Sequence, residues 1–136
     1  MMGTNLQMKF FGAGLYIPVE VWSIAENRYR TIYLTFDTGA TTTIMSPEIF
    51  QRAGYIKPVS TRSIPIVTAS GTEFATEFML KSIKLGDFEL HDFRAYAHKF
   101  PEESFSIGVI GLDALKQFDI QLLFSKNMIN LKHLGG

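Results

Sequence analysis

Short runs in which apolar and polar residues alternate occupy most of this chain of 136 residues, with glycine or proline between them. The alternation predicts a strand over residues 16–22, in which Pro18 marks the strand's start or an edge position. A second strand is predicted over the β-branched and aromatic run that ends at Asp37. The same pattern predicts further strands over residues 81–85, 88–97 and 127–131.

Two helices and one long hairpin are predicted between these strands. Ser46 as N-cap and Gly54 as stop signal predict a helix over residues 46–54, and a shorter one covers 113–117. Residues 63–83 alternate around a polar tip, which predicts a β-hairpin. Many short strands with turn signals favour a small all-β fold, either closed or sandwiched. The apolar residues assigned mainly to the core are Met45, Met79, Leu115, Phe118, Ile120, Leu122, Leu123 and Met128.

Composition and charge exclude several classes of function. Thirteen acidic and thirteen basic residues balance to zero net charge without a basic stripe, which gives no support for nucleic-acid binding. The chain has no cysteine, and its three histidines, His91, His98 and His133, lack the spacing of metal ligands. Neither a metal nor a cofactor is therefore predicted. The apolar stretch 10–19 is shorter than the roughly twenty residues that a membrane span needs, and the cellular compartment stays undetermined.

Two glycine turns, about seventy residues apart, carry the candidate chemistry. The first, Asp37-Thr38-Gly39-Ala40, follows a predicted strand, and Gly39 permits a tight turn directly after the carboxylate. An Asp-Thr-Gly triplet alone should arise by chance in about a few per cent of chains of this size. The second turn, Val109-Ile110-Gly111, has two apolar residues before its glycine and a short helical pattern after it.

Together these motifs resemble those of the retropepsin-like aspartic proteases, the single-domain, dimeric relatives of pepsin and HIV protease. The resemblance extends over roughly residues 16–134 and is nearest to the cellular and bacterial branch, whose motif often reads Asp-Thr-Gly-Ala-Thr. It implies an all-β fold over residues 16–136, a small closed β-barrel of the retropepsin type with one or two short helices and a flap hairpin. An N-terminal arm over residues 1–15 would precede it. Asp37 would be the catalytic residue, and Thr38, Gly39 and Ala40 would support the active site.

The same resemblance implies a homodimer that hydrolyses peptide bonds. The chain has one Asp-Thr-Gly, so a pair of catalytic carboxylates requires Asp37 from each of two subunits. One carboxylate would act as general base on a water molecule while the other, protonated, donates to the substrate carbonyl. Small or aliphatic residues around the motif favour extended peptide or protein substrates with apolar side chains near the cut bond.

The tip of the predicted hairpin lies where retropepsin-like enzymes carry a flap that closes over the substrate. The flap and substrate-binding residues implied by this position are Val67, Thr68, Ala69, Ser70 and Gly71. An ordinary solvent-exposed hairpin is the alternative.

Viral members of the family pair an aspartate, two residues after the motif's glycine, with an arginine directly after the second glycine turn. Thr41 and Leu112 occupy these places here. Because both partners of the ion pair are replaced together, no buried charge is left unpaired. Either the N-terminal arm, with Leu6 and Met8, or the last strand could form the dimer interface. Asp113 is interpreted as a helix-cap residue.

Three functions remain open from the sequence. The first is an active homodimeric aspartic endopeptidase. The second is a catalytically silent dimerisation or peptide-binding module that kept the fold. The third is an unrelated small β-barrel that binds a ligand and has the triplet by chance. Retention of Asp37, Thr38 and Gly39 together favours the first.

Overall fold

The computed structural model describes residues 3–60, 63–68 and 71–135. Within these residues the chain is mostly β-structure with two short helices, which confirms the all-β class. The strands are β1 Thr4–Gln7, β2 Lys9–Phe11, β3 Gly14–Ser23, β4 Arg28–Phe36, β5 Ile44–Met45, β6 Ile64–Thr68, β7 Gly71–Leu85, β8 Phe88–Ala97, β9 Gly108–Ile110, β10 Phe118–Leu123 and β11 Met128–His133. The helices are α1 Pro47–Arg52 and α2 Leu112–Leu115, and a 3-10 turn covers Phe124–Lys126.

Six strands of the larger sheet pair in a ring. Its strand order is β2-β3-β4-β9-β5-β8-β7-β6, and β3 also pairs with β7 through Glu20 with Lys84 and Val21 with Ile83. The Tyr55 hydroxyl extends this seam, because it donates to the Trp22 carbonyl (2.6 Å) and accepts from the Lys81 amide (3.2 Å). Strand pairing therefore returns on itself, as in the predicted barrel.

The barrel encloses one apolar core. Alternate residues of β3 are buried, which matches the period of two in its sequence. Ile17, Leu34, Leu80 and Ile110 come from four different strands and have no exposed surface. The core thus fixes the relative positions of β4 and β9, the two strands that precede the glycine turns.

The N-terminal arm is built into the sheets of the same chain. β1 pairs with β11, and β11 pairs with β10 on its other side, which makes a separate three-stranded sheet. Leu6 and Met8 are buried in the core and β2 pairs with β3, so these apolar residues are covered within one chain. Strands β1, β2 and β10 were not predicted from the sequence.

Several local predictions are confirmed. α1 begins at Pro47 with Ser46 in the N-cap position, although the Ser46 side chain makes no capping hydrogen bond. Pro18 lies inside β3, at a place where one side of the strand is unpaired, because β2 pairs no further than Tyr16 and β7 begins to pair at Glu20. The unpaired edge predicted from the proline is therefore confined to the short stretch of β3 between its pairings with β2 and with β7. No helix in the described part of the chain is long and apolar enough to cross a membrane.

Candidate active site

The two glycine turns lie side by side at one edge of the barrel. β4 and β9 run parallel, with Thr35 opposite Val109 and Phe36 opposite Ile110. Because the carboxyl ends of parallel neighbours meet at the same edge, the turn after each strand emerges there. The Asp37 amide donates to the Ile110 carbonyl (3.2 Å), so the two motifs are joined at the point where both strands end.

The Asp37 side chain is held by its own turn and is open to solvent. The Gly39 amide donates to Asp37 Oδ1 (2.9 Å), and the Ala40 amide donates to the Asp37 carbonyl (3.2 Å). Among the described residues, no hydrogen bond reaches the second carboxylate oxygen, Oδ2. Asp37 is half-buried, and Thr38 and Gly39 are exposed. The carboxylate is thus oriented on one side and accessible on the other.

Gly111 brings the second turn against the Asp37 loop. The Leu112 amide donates to the Ala40 carbonyl (2.8 Å), and the Asp113 amide donates to the Thr41 carbonyl (3.2 Å). A Cβ atom on Gly111 would lie 2.6 Å from the Thr42 carbonyl oxygen and 2.8 Å from that of Ala40. Only glycine permits this approach, which is the physical reason for a glycine after the two apolar residues.

A groove of 420 Å³ runs between the Asp37 loop and the hairpin of β6 and β7. It is lined by Gly39 to Thr42, by residues 64–67, and by Ile44 and Tyr96. Most of these side chains are small or aliphatic. The lining therefore suits apolar side chains of an extended peptide.

The predicted flap residues lie on this hairpin as far as the structure describes them. Val67 opposes Thr72, and Thr68 opposes Gly71. The Val67 side chain is 88% exposed, while its neighbour Ile66 is buried. Ala69 and Ser70 lie outside the described residues. Further along β7, Glu73 lies 2.7 Å from His98, which connects the hairpin with the end of β8.

Tyr96, which lines the groove, is a neutral hydrogen-bond donor. Its hydroxyl donates to Glu77 Oε2 (3.2 Å), and the Arg94 guanidinium lies 3.4 Å from the same carboxylate. Burial, followed by the negative charge of Glu77, raises the pKa of Tyr96 above its ordinary value of 10.0. Tyr96 therefore presents a neutral ring to the groove at physiological pH.

The raised pKa of Tyr96 predicts a loss of stability in alkali. Above about pH 10, where the phenol of the unfolded chain ionises, folding still favours the protonated form, so the unfolded state binds fewer protons. The free energy of unfolding should then fall as the pH rises, and it should fall less in Tyr96→Phe. Urea unfolding of both proteins between about pH 9 and 11 measures this. An equal fall in both would show that Tyr96 ionises as freely in the fold as in the unfolded chain.

Comparison with known proteins assigns the family. Residues 25–117, which contain both glycine turns, match the family described as "gag-polyprotein putative aspartyl protease". The chain belongs to this aspartyl protease family. The chain is retropepsin-like in fold as well. Its structure matches the crystal structure of a retropepsin-like aspartic protease from Rickettsia conorii with a TM-score of 0.65. The two share 20% sequence identity over 98% of this chain and 96% of the other. Comparison with curated proteins found no match.

One polar link in this retropepsin-like chain was missed in the sequence. Asp113 was interpreted as a helix cap, but the N-cap position of α2 is Gly111, and Asp113 stands in the first turn. Its carboxylate accepts from both the amide (2.9 Å) and the hydroxyl (2.7 Å) of Thr43. The two residues are 70 positions apart, and no local pattern relates them.

Thr41 and Leu112, which stand where viral members of the family have an ion pair, are both exposed.

Proposed function

We propose that the protein is a homodimeric aspartic endopeptidase whose active site contains Asp37 from each of two subunits. The observation that carries this is the Asp37 carboxylate, oriented through Oδ1 by the Gly39 amide (2.9 Å) and open to solvent at the edge where the two glycine turns meet. Each chain offers one such carboxylate. A second copy, related by a two-fold axis beside the turn, supplies the other.

The proposed reaction needs only the two carboxyl groups and water. With one proton shared between them, the ionised carboxylate removes a proton from water while the protonated one donates to the carbonyl oxygen of the substrate. The water oxygen bonds to the carbonyl carbon and forms a neutral gem-diol. The carboxyl group that took the proton from water then passes it to the amide nitrogen, while the other carboxylate removes a proton from a hydroxyl of the gem-diol. The carbon–nitrogen bond breaks, a carboxylic acid and an amine leave, and the shared proton is restored.

Neighbouring residues have distinct roles in this proposal. Thr38, exposed next to Asp37, would bond across the two-fold axis to the partner's turn and keep the carboxylates together. Gly39 and Ala40 would let the substrate backbone approach. The hairpin that contains Val67 and Gly71 would act as a flap that closes over the substrate and excludes water.

The preferred substrates would be extended peptides or unfolded proteins with apolar side chains next to the cut bond. The groove supports this, because Ile44, Ile64 and Ile66 line it and a strand-like segment can pair with the exposed β-structure around it. Medium-sized aliphatic side chains fit this lining better than charged ones.

A silent peptide-binding module is the alternative, and the contact between Gly39 and Asp37 is compatible with it as well. The Gly39 amide bond to Asp37 Oδ1 is a local turn contact that an asparagine could also accept. Aspartate is thus compatible with a purely structural turn. A binding module would keep the dimer and the groove without cleaving any substrate.

Cleavage as a function of protein concentration tests the proposal. An unfolded protein substrate is incubated between about pH 4 and 7, where the shared proton is expected. Activity per subunit should rise with concentration in step with the dimer fraction, measured as molar mass in the same solutions. A dimer that cuts nothing would favour the silent module. A protein that cuts equally well as a strict monomer would overturn the shared site.

A further inference from the structure

We propose that Thr43 and Asp113 form a positioning pair, which sets where the Asp37 loop stands against the second glycine turn. The existence of the pair is argued from the hydrogen bonds of this chain. Its effect on catalysis rests on the proposed hydrolysis. Neither residue belongs to the predicted site, and neither touches the carboxylates of Asp37.

Three segments meet at this pair. The Gly111 amide donates to Thr43 Oγ1 (3.1 Å), and the Thr43 hydroxyl donates to Asp113 Oδ1 (2.7 Å). The Thr43 amide donates to Asp113 Oδ2 (2.9 Å). Thr43 ends the Asp37 loop, Gly111 forms the second turn, and Asp113 lies in the first turn of α2. One hydroxyl and one carboxylate therefore bind all three together.

The direction of these hydrogen bonds is fixed by chemistry. An ionised carboxylate can only accept, so the Thr43 hydroxyl must donate to it and has its lone pairs left for the Gly111 amide. The Ala114 amide also donates to Asp113 Oδ1 (2.9 Å), which holds the carboxylate against α2. This arrangement satisfies all four donors, and a bond to a charged acceptor is stronger than one between neutral groups.

Thr43 lies where water cannot replace its hydroxyl, while Asp113 beside it is half-buried. Thr43 is 2% exposed, and Gly111 is also buried. Removing the hydroxyl would leave the Gly111 amide without a partner in the interior, which is unfavourable. The loop between residues 37 and 43 is otherwise half-buried or exposed, so its anchor lies at this end.

Asp37 depends on that anchor. The loop carries the Gly39 amide that orients the carboxylate, and its Ala40 carbonyl accepts from Leu112 beside the pair (2.8 Å). If the loop shifts by about 1 Å, the carboxylate leaves its reactive geometry, and such a shift can reduce a rate by about a hundredfold. Gly39 to Thr42 also line the groove and would move with the loop, whereas residues 64–67 lie on a different segment. Substrate binding should therefore weaken less than the rate falls.

Paired substitutions at Thr43 test this in the full chain. Thr43→Val keeps the shape and removes the hydroxyl, so kcat should fall by about a hundredfold while KM changes by a much smaller factor. Thr43→Ser restores the hydroxyl and should recover most of kcat. In Asp113→Asn the bond from Gly111 to Thr43 is kept, but one carboxylate oxygen that accepts from Thr43 is lost, so kcat should also fall. This variant serves as the second test if Thr43→Val does not fold. Amide hydrogen exchange at residues 38–42 should be faster in both impaired variants.

Ser82→Ala is the matched control. It also removes a buried hydroxyl, one that bonds to the Tyr29 hydroxyl (2.8 Å), but it lies on β7 and not in either turn. Its kcat and its exchange at residues 38–42 should equal those of the wild type. If Thr43→Val behaves like Ser82→Ala in both measurements, the pair only stabilises the fold and the inference is overturned. If the wild type cleaves nothing, the proposed function fails, and hydrogen exchange alone decides whether the pair holds the loop.

Discussion

Asp37→Asn should abolish peptide cleavage, with a loss of at least about a thousandfold. An amide can neither take a proton from water nor hold the shared proton, so both halves of the acid–base reaction are lost. In the wild type the Gly39 amide donates to Asp37 Oδ1 (2.9 Å), and the side-chain oxygen of the asparagine can accept the same bond. The turn should therefore persist, and the unfolding free energy should change by less than about 1 kcal/mol. Cleavage, molar mass and thermal unfolding of the two proteins measure this.

A mixing experiment separates a shared site from a site within one chain. Wild-type subunits are combined with a ninefold excess of Asp37→Asn subunits and allowed to exchange. If each site needs both carboxylates, activity per wild-type subunit should fall to roughly a tenth, because only wild-type pairs remain active. Unchanged activity would contradict the shared site. Full activity of pure Asp37→Asn would remove Asp37 from the mechanism.

The sequence predicted the parts of the fold that have a local cause. β4 ends at Phe36, directly before the Asp-Thr-Gly turn, as its β-branched run indicated. The turn between β7 and β8 falls at Gly86, whose φ of +62° is a conformation that glycine adopts readily. These features depend on a few consecutive residues, so a single sequence is enough to find them.

The parts that were missed depend on distant residues. β5 and β9 contain two and three residues, too few for any periodicity, and they exist because they pair with each other and with β4 and β8. β10 alternates apolar and polar residues, but its pairing with β11 depends on a chain reversal through the 3-10 turn. At the site, Asp37 was found from its motif. Thr43 and Asp113 were not identified as partners, because folding alone brings them together.

Gly111→Ala should disrupt both the fold and the site. The new methyl group would stand 2.6 Å and 2.8 Å from two backbone carbonyl oxygens of the Asp37 loop, which cannot rotate away as a side chain can. Such overpacking should lower the unfolding free energy by roughly 3 kcal/mol, measured from urea unfolding midpoints. Any relief must come from a shift of the loop, so the folded fraction should also lose about a hundredfold in kcat.

Gly14→Ala provides the comparison for the added methyl group. Its Cβ would meet the far end of the Tyr16 ring at 2.8 Å, and a side chain can move where a backbone carbonyl cannot. The loss of stability should therefore be clearly smaller than for Gly111→Ala. Equal losses in the two variants would mean that the second turn tolerates a wider separation from the Asp37 loop. In that case the contact between the two glycine turns would not be what fixes the position of the carboxylate.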